Sequence, residues 1–163
     1  MYRHIIAAVD GSHNADKALL QAAGLAAQCH AALTLVHIAN LRDLAEEEVS
    51  LLGSHELHER AHRHGHEILA RARDMLVEHG LPGGKDHVGE SWEGGKEMAR
   101  VLLQYAAAHD ADLIVLGTHG RSGIRHLLLG SFAENVLHHA HCPLLVVTQR
   151  QDEPPHALRA PTL

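Results

Sequence analysis

Short runs of uninterrupted apolar residues alternate along this chain with longer stretches whose apolar positions recur every three or four residues. The first run, Ile5-Ile6-Ala7-Ala8-Val9, ends at Asp10-Gly11-Ser12 and reads as a strand with its loop. Asn14 is then placed to cap a helix to about Cys29, because Ala18, Leu19, Ala22, Leu25 and Ala26 share one face. Ala32-Leu33-Thr34-Leu35-Val36-His37-Ile38 predicts a second buried strand, and the acidic stretch 40–48 a mobile loop. A helical pattern follows from Ser54 to His79, closed by Gly80-Leu81-Pro82-Gly83-Gly84. Residues 85–90 form a weak, polar strand best placed at a sheet edge. Residues 93–109 are helical, with Met98, Val101, Leu102 and Tyr105 at core spacing, and Asp112-Leu113-Ile114-Val115-Leu116 is a further strand. A helix over 132–139 leads through Pro143 into the last strand, Leu144-Leu145-Val146-Val147.

Strict alternation of strand and helix, with strands apolar on both sides, argues for an open parallel sheet covered on both faces. The expected class is α/β: five parallel strands, doubly wound and Rossmann-like. Right-handed crossovers bring the carboxyl ends of the first and fourth strands together at a switch in strand order, where such sheets bind ligands. One domain over 1–149 is expected, with 150–163 as a frayed tail because Pro154, Pro155 and Pro161 crowd it.

The fourth strand feeds Gly117-Thr118-His119-Gly120, nine residues, then Gly130-Ser131. Glycine lets bare backbone N–H groups approach an anion, and the start of a helix adds partial positive charge. The loop lacks the Gly-Lys-Ser/Thr of a P-loop, and its spacing differs from the dinucleotide fingerprint. Composition narrows the partners. The formal charge is −6 and aromatic residues are 2%, which argues against a nucleic-acid surface. No apolar run approaches the roughly 20 residues that span a bilayer. Cys29 and Cys142 form no ligand-spaced group and read as reduced, mostly buried thiols. With no basic, apolar leader pattern at the start, a cytoplasmic protein is expected.

Over residues 2 to about 149 the sequence resembles the universal stress protein family, in its ATP-binding branch. The likeness rests on 5–12, on Leu35-Val36-His37-Ile38, and on 112–147, DLIVLGTHGRSGIRHLLLGSFAENVLHHAHCPLLVV. It implies a strand order of 3-2-1-4-5 and one ATP, with Mg, across the carboxyl ends of strands one, two and four. Asp10 would approach the ribose or the phosphate-bound metal, and the backbone around Ile38 the adenine. Gly117, Gly120, Gly130 and Ser131 would hold phosphates, with His119, Arg121 and Ser122 lining the loop and Ala8, Leu116, Thr118 and Phe132 adjoining. Ala8 stands where some members carry proline, and Ser91-Trp92-Glu93-Gly94-Gly95 replaces a shorter turn. Trp92 is expected to sit near the site or to pack over an edge. A homodimer through the last strand and a signalling partner are implied, with neither nucleic acid nor membrane.

Phosphoryl transfer needs a positioned nucleophile, a metal and charge stabilisation. The chain offers no Walker lysine and no evident base besides Asp10 or His119, so binding and signalling, not turnover, is the expected role. The alternatives are a phosphotransferase or slow ATPase on the same scaffold, and a histidine-rich metal-binding protein. The latter draws on 18 histidines and on His58-Glu59-Arg60-Ala61-His62, a match to the His-Glu-x-x-His zinc pattern. Ile68 stands where the longer pattern needs a third histidine, and Glu78 lies too far along the same helix. His55, His58, His62 and His66 share a face and read as solvated, with metal binding or pH sensing as alternatives.

Overall fold

The structure is a computed structural model, and it describes residues 1–47, 53–119 and 129–148. The five strands are β1 (His4–Ala8), β2 (Ala32–Asn40), β3 (Lys85–Ser91), β4 (Leu113–Gly117) and β5 (Leu144–Val147). The helices are α1 (His13–Cys29), α2 (Leu41–Glu47), α3 (Ser54–Glu78), α4 (Gly94–Ala108) and α5 (Ser131–His139). The strands form one parallel sheet in the order β3-β2-β1-β4-β5. Successive side chains on a strand point to opposite faces, so the inner strands are apolar at nearly every position, with Thr34 and His37 of β2 the buried polar exceptions. Ile5, Ala7 and Leu35 accordingly meet Leu19, Ile68, Leu69 and Leu76 of α1 and α3. On the other face, Ile6, Val36, Ile114 and Leu116 meet Leu102, Ala106 and Val136 of α4 and α5.

β3 is an edge strand whose polarity has structural uses. Val88 packs into the α1/α3 side of the core, while Asp86 pairs with Arg73 of α3. On the opposite face, His87, Tyr105 and His109 stack with ring centroids 3.9 and 4.0 Å apart. Burial pushes the His87 imidazole below its ordinary value, helped by the charges of His109 and His62.

Several sequence expectations are corrected. Ser12, not Asn14, caps α1: its backbone is extended and its hydroxyl accepts from Ala15 N at 3.2 Å. Asn14 lies inside the helix and is buried. The stretch expected to be a loop from residue 40 instead forms α2. Asn40 Oδ1 accepts from Arg42 N at 3.2 Å, Arg42 pairs with Glu46 at 3.1 Å, and buried Leu41 joins Leu57 and Ala61 of α3. Two apolar anchors in a polar segment sufficed. Of the core expected on α4, Leu102 is fully buried, while Met98, Val101 and Tyr105 are only partly so; Ala99 and Ala106 fill the closest positions. Both cysteines are free and half-buried rather than mostly buried. The expected tail, 150–163, lies outside the described residues. Among the described residues, no helix is long and apolar enough to cross a membrane.

Candidate functional site

A cavity of about 570 Å³ opens across the carboxyl ends of β1, β2 and β4. Its floor is apolar: Ala8 and Val9 follow from β1, Val36 and Ile38 from β2, and Leu116 from β4. Asp10 stands at the end of β1, where its Oδ1 accepts from Ser12 N at 2.8 Å and so shapes the turn into α1. Gly117, Thr118 and His119 leave β4 along one wall, and Gly130, Ser131 and Phe132 open α5 beside them. Thr118 N donates to Val147 O at 3.0 Å and Gly130 N to Thr118 O at 2.8 Å, closing the base of the glycine loop. His119 Nδ1 lies 3.1 Å from Thr118 Oγ1.

The backbones here approach closely. A Cβ on Gly117 would stand 2.9 Å from Asn14 Cβ and 3.0 Å from its carbonyl carbon, so α1 could not pack as it does against a larger residue. A Cβ on Gly95 would fall 2.3 Å from Ser131 Oγ and 2.7 Å from Phe132 N, which brings the first turns of α4 and α5 together at the cavity. Gly130 differs. Its backbone is extended (φ −73°), and a Cβ there would meet Thr118 O at 3.4 Å, in the space beside the loop.

Ten residues singled out from the sequence therefore line one cavity: Ala8, Asp10, Ile38, Leu116, Gly117, Thr118, His119, Gly130, Ser131 and Phe132. Gly120, Arg121 and Ser122 lie outside the described residues. The structure adds walls that carry no motif. His37 is buried, and its Nδ1 donates to Val9 O at 2.8 Å, tying β2 to the last residue before Asp10. Val9 carbonyl can only accept, so the proton sits on Nδ1. Asn40, Asp43 and Leu44 close one side, His64 of α3 stands next to them, and Gly94, Gly95 and Met98 complete the other.

The turn before α4 is held by one carboxylate. Glu97 accepts from Ser91 Oγ at 2.9 Å, from Trp92 N at 2.8 Å and from Glu93 N at 2.9 Å. The Glu93 amide, the Ser91 hydroxyl and the Trp92 amide together draw its carboxyl down from the ordinary 4.5 to about 2, and Arg100 adds to them. Trp92 itself does not line the cavity; it is half exposed and meets His58 edge-on, with ring centroids 6.5 Å apart.

On the histidine face of α3, His55, His62 and His66 are exposed as expected and His58 is half-buried. His58 Nδ1 lies 2.7 Å from Glu90 Oε2, and His62 Nε2 lies 3.2 Å from Glu90 Oε1 without the alignment of a hydrogen bond. Glu59, which would be the general base of a zinc hydrolase, faces His55 instead, at 3.5 Å. Among the described residues, no three His, Cys, Asp or Glu side chains converge where they could hold a metal ion.

Comparison with known proteins agrees with this architecture. The universal stress protein MJ0531 of Methanocaldococcus jannaschii is 33% identical over 154 residues, covering 94% of this chain and 86% of the relative. A putative universal stress protein of Staphylococcus epidermidis is 31% identical over 154 residues, covering 94% and 87%. A solved structure from the universal stress protein family of Burkholderia pseudomallei superposes with a TM-score of 0.66 at 30% identity, covering 90% of this chain and 96% of that one. Two further structures share the fold. One is a universal stress protein in complex with cAMP, at 23% identity and TM-score 0.65, covering 90% and 97%. The other, from Archaeoglobus fulgidus, is in complex with dAMP, at 22% and 0.62, covering 90% and 98%. With residues 1–148 matching the family as a whole, this chain belongs to the universal stress protein family.

Proposed function

We propose that this protein binds an adenine nucleotide, ATP with Mg, in the cavity at the carboxyl ends of β1, β2 and β4, and signals its occupancy instead of turning it over. The observation that carries this reading is the cavity's two-part chemistry. An apolar floor of strand ends, Val36, Ile38 and Leu116, suits a flat base, and beside it the backbones of Gly117, Thr118 and Gly130 stand next to the first turn of α5. A polyphosphate fits that second part, where main-chain amides and a helix start favour anions. Universal stress proteins of the same fold have been solved with cAMP and with dAMP, which supports an adenine ligand.

Asp10 and Asp43 supply the oxygen donors that suit a magnesium ion accompanying the phosphates. Gly120, Arg121 and Ser122 are assigned to the same phosphate loop by their position between Gly117 and Gly130. The described lining carries no lysine or arginine to stabilise charge on a transferred phosphoryl group, which favours retention over hydrolysis. A homodimer is proposed through β5, whose four residues are all half-exposed at the sheet edge. Mass spectrometry of the small molecules released on denaturing the purified protein tests the ligand. An adenine nucleotide near one equivalent per chain is expected, and a different co-purifying cofactor at that stoichiometry would contradict the assignment.

A further inference from the structure

The described lining of the cavity carries two carboxylates, Asp10 and Asp43, and no lysine or arginine. A phosphorylated ligand brings more negative charge to that wall, so full positive charge, beyond the partial charge of the amides and the α5 start, comes from a metal ion or from guanidiniums at the rim. Among the described residues, α3 supplies such a rim. At about 100° per residue, Arg60, Arg63, His64, Glu67 and Arg71 share one face of that helix. Arg60, Arg63, His64 and Glu67 border an open recess of about 330 Å³, and His64 lines both this recess and the main cavity. Further along the stripe Arg71 stands beside the Asp10 turn, where a Cβ on Gly11 would lie 3.6 Å from its Nη2. The stripe runs on the face of the sheet opposite α5, away from the glycine loop.

We propose that the recess of Arg60, Arg63 and His64 is a phosphate subsite, continuous with the cavity, that takes a second phosphate carried on the ribose of the bound nucleotide. This inference rests on the nucleotide reading of the cavity. Two guanidiniums one helical turn apart present planar forks of N–H donors, which suit the oxygens of a phosphate monoester better than a single ammonium would. His64 adds a ring nitrogen from the boundary between the two spaces. Among the described residues, Glu67 is the one carboxylate of the recess; its Oε2 lies 3.9 Å from His64 Nδ1, and it opposes an incoming anion. Because the recess is open to water, its pull on phosphate weakens as salt rises.

Two measurements on the full chain test the subsite. Inorganic phosphate is titrated while the His64 ring resonances are followed by NMR, against chloride at matched ionic strength. Saturable movement is expected, lost in Arg60→Gln/Arg63→Gln and tightened in Glu67→Gln. Calorimetry then compares adenosine 5′-monophosphate with adenosine 3′,5′-bisphosphate. The second phosphate is expected to tighten binding about tenfold, the scale of one charge-assisted hydrogen bond, and the gain to vanish in the double variant. His64 signals indifferent to phosphate, or a bisphosphate that binds no tighter than the monophosphate, overturns the subsite. A protein that binds neither nucleotide while phosphate still moves His64 instead overturns the nucleotide reading of the cavity and, with it, the ribose-phosphate assignment.

Discussion

Glu97 shows how much one side chain organises beside the cavity. Its carboxylate collects the Ser91 hydroxyl and the amides of Trp92 and Glu93, fixing the turn that delivers Gly94 and Gly95 to the cavity wall. A folded-state value near 2, below the ordinary 4.5, means that the native state favours the charged form. The resulting stability is complete above about 4.5, declines as pH falls through the window, and is gone below about 2. Urea unfolding of Glu97→Gln at a series of pH values is therefore expected to show a flatter acid limb than the parent. Identical limbs would show that the carboxylate does not organise the turn. His37 is a second such residue. His37→Phe keeps the volume of a ring but leaves the Val9 carbonyl without its donor, at a cost of about 1–3 kcal/mol in denaturant unfolding.

At the same scale, what sequence could reveal depended on whether a residue carried a pattern. Asp10, Gly117, Gly130 and Ser131 follow apolar strands at the ends where a parallel sheet binds ligands, and their placement was legible. His64 was not, because it is one histidine among many on α3 and nothing in its spacing marks it as a cavity residue. The cap of α1 is not legible because Ser12 and Asn14 are both good capping types, and the extended backbone and hydroxyl bond at Ser12 decide between them.

Elements differ in the same way. The inner strands were plain from sequence, since burial on both faces forces continuous apolar runs. α2 was hidden by its acidic composition; it exists because Leu41 and Leu44 reach the hydrophobic cluster of Leu57 and Ala61, a tertiary cause that no short window shows. The meeting of α4 and α5 was equally invisible, since it depends on a missing side chain at Gly95. Gly95→Ala forces a methyl group against Ser131 Oγ and Phe132 N, so the two helix starts must separate. A loss of about 1–3 kcal/mol in unfolding free energy is expected, the usual scale of overpacking, together with weaker nucleotide binding by calorimetry. Unchanged stability would mean that the two helix starts do not pack this closely.

For the whole molecule, the proposed assembly turns on β5. Pro143 O and Val147 O accept from Ile114 N of β4 and from Thr118 N just past its end, so the backbone groups of alternate residues face inward. Those of Leu144 and Val146 consequently face the open edge. Val146→Pro removes one outward N–H while sparing the β4 ladder. Sedimentation is expected to find a dimer for the parent and a monomer for this variant, with similar circular dichroism. A dimer that survives the substitution places the interface elsewhere.

The central claim is that the cavity holds an adenine nucleotide whose phosphates lie beside Gly130. Gly130→Val tests it with little strain: the backbone is extended and its first added carbon meets Thr118 O at only ordinary contact distance, whereas any side chain at Gly117 collides with α1. Calorimetric titration of ATP with Mg into the parent and the Gly130→Val variant is the direct measurement. One site per chain is predicted in the parent, weakened at least about tenfold in the variant, or about 1.4 kcal/mol. Equal binding by both proteins, or no binding by the parent, would contradict it.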